Sequence, residues 1–226
     1  MSETGSMAAD GAPPTMTIDI VSDVVCPWCY IGKRRLEAAL AVRGGPAPTV
    51  HWHPFQLNPD IPAGGVDRRS YLQEKFGGPE RAREIYARVE AVGREVGIPF
   101  KFELIERQPN TIDTHRLIAW TQVVAPEHVD RLVERLFEAY FTEGADIGAV
   151  DVLTRLAGEA GGDPVAARTH LESGGGREEI TAADARVKSI GISGVPFFIL
   201  NRRLAVSGAQ PPDVLGEALQ QAEQAT

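Results

Sequence analysis

The chain has 226 residues, 43% hydrophobic and 24% charged, with a formal net charge of -8, the balance of a soluble globular protein with one large core or two small units sharing one. That acidity argues against nucleic acid as the main partner, because phosphate binding needs a basic surface that releases counterions. No apolar run reaches the roughly 20 residues that span a bilayer, and the N-terminus lacks a basic start and an apolar signal stretch, so the expectation is a cytoplasmic protein with no membrane partner.

Residues 1–15 are small, polar and rich in Gly and Pro, and read as a flexible tail outside the fold. TIDIVSDVV (17–25) is β-branched and mostly apolar, the pattern of a buried strand, and it runs directly into CPWC. After the cysteines, Ile31, Leu36, Ala39, Leu40 and Val42 recur at helical spacing up to Gly44-Gly45. Pro27 then falls in the first turn, where its missing N–H costs nothing. PTVHWHPF (48–55) reads as a second strand.

From Val66 the texture changes to successive amphipathic helices, approximately 70–76, 79–97, 111–124, 126–144, 149–161, 163–173 and 176–191, separated by Gly, Pro, Asn or Asp. The fourth carries one apolar stripe of Val129, Leu132, Val133, Leu136, Phe137 and Tyr140. Strand chemistry returns in VPFFIL (195–200), a two-residue turn at Asn201-Arg202, and RLAVSG, before a closing helix at 211–223. The expected fold class is α/β: one layer formed by 16–65 and 187–223, interrupted by an all-helical insertion at 66–186.

Both cysteines of the chain lie in CPWC. Cytosolic thiols are held reduced, and two cysteines are too few for a structural disulfide framework. Zinc normally takes four ligands, and His51, His53, His115, His128 and His170 show no partner spacing, so no metal is expected. The redox reading remains: Cys26 at a helix N-terminus, where unpaired N–H groups and the dipole favour a thiolate, and Cys29 one turn inward, placed to resolve a mixed disulfide.

With SDVVCPWCYIGKRRLE, PFQLNP (54–59), PNTIDTHRLI (109–118) and GISGVPFFILNRRLAVSGAQPPDVL, the chain resembles the DsbA-like branch of the thioredoxin fold over residues 16–223. Within that branch it is similar to the cytoplasmic FrnE-like dithiol-disulfide oxidoreductases, which are related to 2-hydroxychromene-2-carboxylate isomerases and kappa-class glutathione transferases. The resemblance implies a cis-proline site at Val195-Pro196 whose backbone pairs with a bound peptide or glutathione, and a substrate-end loop at Ser207-Gly208-Ala209-Gln210. It places Asn110 and His115 over the cysteine helix, Asn110 to bond a peptide backbone and His115 to shuttle a proton.

Other readings stand beside these roles. Asn110 and His115 also suit a helix cap followed by a surface histidine. Asp23 is either a proton relay for Cys29 or a loop residue, and Trp28, next to Pro27, is either a flat substrate contact or simple packing. Lys33, Arg34 and Arg35 read as a solvated basic face, or else as cations that attract a carboxylate or glutathione.

The first functional expectation is therefore a thiol-disulfide oxidoreductase with no tightly bound cofactor and glutathione as a co-substrate. Its partner would be a disulfide-containing protein or a small thiol, and it could pair as a homodimer. The alternative is a glutathione-dependent isomerase or transferase acting on a small aromatic or polyketide-like compound. A peptide-holding module that binds without turnover is the third.

Overall fold

The computed structural model describes residues 16–224, so the tail expected at 1–15 lies outside the described residues. Strand β1 (Thr17–Ser22) is shorter than its apolar run, because the chain turns at Val24 and Val25. The Cys26 N–H donates to the Asp23 carbonyl at 3.0 Å, and α1 (Pro27–Arg43) starts at once with Pro27 in its first turn. Strand β2 (Thr49–Pro54) returns parallel to β1, with Ile20 opposite Trp52.

Next come β3 (Val66–Asp67), α2 (Arg68–Phe76), α3 (Pro79–Glu95) and β4 (Arg107–Gln108). The β3–β4 pair is an antiparallel ladder that sequence periodicity did not anticipate. Two-residue strands are too short to show alternation, and long-range partners hold this one. Gln108 accepts from the buried Arg68 guanidinium and, at 3.1 Å, from the Tyr140 hydroxyl.

Helices α4 (Ile112–Val124), α5 (Val129–Glu143), α6 (Val150–Glu159), α7 (Pro164–Glu172) and α8 (Arg177–Ser189) follow. All six stripe residues of α5 are buried, and burying a side chain of that size stabilises by about 1.5–3 kcal/mol. Around them lies an aromatic cluster in which Tyr30 of α1 stacks on Phe137 with centroids 5.0 Å apart. This contact ties the cysteine helix to the inserted helices.

Buried Arg116 of α4 closes the C-terminal end of α7. Its guanidinium donates to the carbonyls of His170, Leu171 and Gly175 at 2.9, 3.2 and 2.8 Å, and pairs with Asp113 at 2.7 Å. A cation there adds donors where the intrahelical N–H partners run out and complements the helix dipole.

Strands β5 (Phe197–Leu200) and β6 (Leu204–Ser207) complete the sheet in the order β2-β1-β5-β6, and α9 (Pro212–Gln224) packs on α1. Central β1 buries Ile18, Ile20 and Val21. At the hairpin, Asn201 and Arg202 both take positive φ, 49° and 56°, and Arg203 N–H donates to the Leu200 carbonyl at 3.0 Å. The ladder resumes one residue later, at the Leu200–Leu204 pair, so the connection is longer than the two residues expected. Asn201 suits the left-handed position, and its side chain bonds Thr17 N–H at 2.9 Å and the Ala222 carbonyl at 3.0 Å.

This is the α/β thioredoxin-like arrangement with inserted helices. Within it, α4 and α8 both pack against β2. Asp184 of α8 accepts from Gln56 N–H at 2.8 Å, and Lys188 donates to the Gln56 carbonyl at 2.9 Å.

Candidate active site

The sheet delivers two pieces of backbone to one place. Cys26 is the extended N-cap of α1, and the Val195-Pro196 peptide, which is cis, leads into β5. They meet at 3.7 Å, Cys26 Sγ to the Val195 carbonyl. Gly32 permits the approach: a Cβ there would lie 2.8 Å from Pro196 Cγ and 3.2 Å from the Phe198 ring. One turn further along α1, the Arg35 guanidinium donates to the Ala209 carbonyl at 2.6 Å, pinning the Ser207–Gln210 loop to the same helix.

Both cysteines are free thiols, with Cys29 the deeper at 2% exposure against 6% for Cys26. Burial above all, then the hydrogen bond and charge of Cys26, pushes the Cys29 thiol well above its ordinary value, and the Ser22 hydroxyl and Asp23 backbone offset only part of this. The thiolate is the reactive form. Iodoacetamide at pH 7–8 is therefore expected to modify Cys26 at least about tenfold faster than Cys29, read by peptide mass mapping; equal rates would show that Cys29 is not suppressed.

Around the pair, Pro27 is half-buried and Trp28 is the exposed ring at the mouth. Asp23 is fully buried: Oδ2 accepts from Leu57 N–H at 2.8 Å, and Oδ1 lies 3.5 Å from His115 Nε2. His115 is thus an interior residue of α4, and the surface-histidine reading is corrected. Asn110 is committed to the chain itself. Its Oδ1 accepts from Ile112 N–H at 2.9 Å and from the Gln56 amide at 3.1 Å, and its Nδ2 donates to the Ile61 carbonyl at 2.5 Å.

The solvated basic face expected at 33–35 is also corrected. Lys33 is buried, with Asp130 and Glu134 each at 3.1 Å and Glu37 closer still. Burial alone would lower its ammonium, but those three carboxylates outweigh it and raise the group above its ordinary value. Arg34 pairs with Glu134 and lies over the Tyr30 ring at 5.5 Å. These cations bind α1 to α5 rather than attract a ligand.

His53 pairs with Asp19 at 2.7 Å. Among the described residues no group of three or more His, Cys, Asp or Glu side chains could hold a metal ion, and no helix is long and apolar enough to cross a membrane. Sequence reasoning passed over Ser22, which is buried at the end of β1. A lone serine at the end of an apolar strand carries no signal of its surroundings.

The chain is 30% identical to a probable DsbA oxidoreductase from Streptomyces coelicolor, whose crystal structure it matches with a TM-score of 0.81 over 93% of this chain and 91% of that one. It is 27% identical to the uncharacterized protein YwbO of Bacillus subtilis (strain 168), covering 91% of this chain and 96% of that protein. A cytosolic disulfide reductase, DsbM of Pseudomonas aeruginosa, shares the fold at a TM-score of 0.65 and 20% identity, over 93% of this chain and 100% of the other. The family model of the DSBA-like thioredoxin domain matches residues 17–220, and with CPWC opening α1 beside the cis Val195-Pro196 peptide, the chain belongs to that family.

Proposed function

We propose that this protein is a dithiol-disulfide oxidoreductase of the cytosol, with Cys26 as nucleophile and Cys29 as resolving thiol. The observation that carries the reading is the meeting of Cys26 Sγ, at the N-terminus of α1, with the Val195 carbonyl at 3.7 Å. A sulfur bound to Cys26 would lie beside an extended backbone edge able to pair with a peptide or with glutathione. Trp28 at the mouth offers a flat contact surface.

In the reducing direction the Cys26 thiolate attacks one substrate sulfur, the substrate S–S bond breaks, and one substrate sulfur leaves as a thiol. Cys29, having given up its proton, attacks Cys26 Sγ and expels the second substrate sulfur. Two electrons and two protons have then passed to the substrate, and the enzyme holds a Cys26–Cys29 disulfide. Two glutathione molecules restore the dithiol and leave as glutathione disulfide. The oxidising direction reverses every step.

The test supplies a disulfide-bonded peptide with excess glutathione and follows thiol release. Multiple turnovers by the wild type, lost in Cys29→Ser, support the reading. A glutathione-dependent isomerase or transferase would instead leave the peptide untouched and turn over a small aromatic substrate as well in Cys29→Ser as in the wild type.

A further inference from the structure

Helix α1 holds the Val195-Pro196 peptide at two points on one of its faces, since Gly32 and Arg35 stand three residues apart. The first hold is direct: Pro196 Cγ and the Phe198 ring pack where a Cβ on Gly32 would have to stand. The second runs through the loop after β6. Arg35 donates to the Ala209 carbonyl at 2.6 Å, and one residue earlier the Gly208 N–H donates to the Pro196 carbonyl at 2.8 Å. Gly208 turns the chain for this with a φ of 80°, which a glycine adopts without a side-chain clash.

The loop is bonded to itself, so a hold at Ala209 is a hold on Gly208. Gln210 donates its N–H to the Gly208 carbonyl at 2.9 Å and its side-chain amide to the Ser207 carbonyl at 2.8 Å. The β5–β6 ladder ends at the Phe197–Ser207 pair, which puts the Gly208 to Pro196 bond beyond the strands and next to Val195. Among the described residues the Val195 N–H makes no hydrogen bond, and its carbonyl meets only Cys26 Sγ, at 3.7 Å. The open edge at Val195 is therefore placed through Pro196, with Gly32 behind it and Gly208 beside it.

We propose that Arg35 is a positioning residue that sets the Val195 edge against Cys26 through Ala209, Gly208 and Pro196, and that this edge serves disulfides whose reacting sulfur is flanked by peptide backbone. The inference rests on the oxidoreductase reading and adds to it a substrate class and the side chain that favours it. A guanidinium-to-carbonyl hydrogen bond is charge-assisted, and arginine keeps its charge at every working pH. A peptide gains from the edge by pairing its own N–H and C=O groups there, as an added strand does. A disulfide without a backbone gains nothing. In either case Cys26 and Cys29 pass two electrons and two protons to the substrate, which leaves as two thiols, and Arg35 neither gives nor takes a proton.

The test mixes prereduced protein with excess disulfide and follows the loss of the Cys26 and Cys29 thiols in a single turnover, so that no other reductant takes part. One substrate is a disulfide-bonded peptide and the other is hydroxyethyl disulfide, which has no backbone to pair. Arg35→Ala is expected to slow oxidation by the peptide roughly 10- to 100-fold, the scale of a small misplacement of a positioning group. Oxidation by hydroxyethyl disulfide and alkylation of Cys26 should both stay within about twofold of wild type. Arg35→Lys, which offers Ala209 another charged donor, should recover part of the loss.

An equal loss on both disulfides overturns the proposal, because Arg35 would then act on the thiols or on the fold at large. So does peptide oxidation at the wild-type rate in Arg35→Ala, or an Arg35→Lys variant as slow as Arg35→Ala. Should Arg35→Ala fail to fold, Arg35→Met, which keeps a straight apolar stem and removes the donor, decides by the same criteria. A wild-type protein that neither disulfide oxidises would overturn the oxidoreductase reading and this inference with it. A wild type that both oxidise, matched by Arg35→Ala on both, removes only the role of Arg35.

Discussion

Cys29→Ser is expected to accumulate a covalent mixed disulfide on Cys26 when exposed to glutathione disulfide, close to one adduct per chain, while Cys26→Ser forms none. The asymmetry follows from position. Cys26 caps α1 beside the Val195 carbonyl, where an incoming sulfur can reach it, and Cys29 is the deeper thiol, held protonated by burial. Without Cys29 the adduct has no intramolecular exit and persists. Without Cys26 the remaining thiol is buried and suppressed, and turnover should fall at least about 1,000-fold, the scale of losing a covalent nucleophile. Intact-protein mass spectrometry before and after added thiol reads both outcomes. Adducts on Cys29 rather than Cys26 would reverse the assignment.

Arg116→Ala should be the most damaging single change in the inserted helices. Arg116 has no exposed side-chain surface, and its guanidinium holds three carbonyls at the end of α7 together with Asp113. Removing it takes one donor from each of the three carbonyls and opens a cavity where a large, fully buried side chain stood, for a cost of about 3–5 kcal/mol. At about 2–4 °C per kcal/mol for a chain of this size, the Tm should fall by roughly 6–20 °C. Asp113 retains Arg177 at 2.7 Å, so it is not left unpaired. Thermal unfolding by circular dichroism checks the shift, and a Tm within about 2 °C of wild type would mean the α7 end is satisfied without Arg116.

The strand-to-helix junction at CPWC was legible because an apolar β-branched run, a first-turn proline and helical apolar spacing stand side by side in the chain. The amphipathic helices of the insertion were legible for the same reason, periodicity being a local signal. The Val195-Pro196 site was visible only through resemblance, since an isolated X-Pro pair does not announce its isomer. The charge run at Lys33 misled because its partners Asp130 and Glu134 lie on α5, roughly 100 residues away along the chain, and a cation whose acids are that remote reads as solvated. Arg116 escaped for a related reason: it draws its meaning from carbonyls that only the tertiary fold brings near.

The most direct test of the account is a redox titration of the Cys26–Cys29 pair in glutathione buffers, with rapid alkylation and mass analysis counting free thiols at each ratio. The account predicts one reversible two-electron transition to an intramolecular disulfide, at a potential between about -120 and -270 mV, the span from a strong protein oxidant to a thioredoxin-like reductant. Two thiols that stay free across the whole range, or that acquire only separate glutathione adducts and never join, would contradict it.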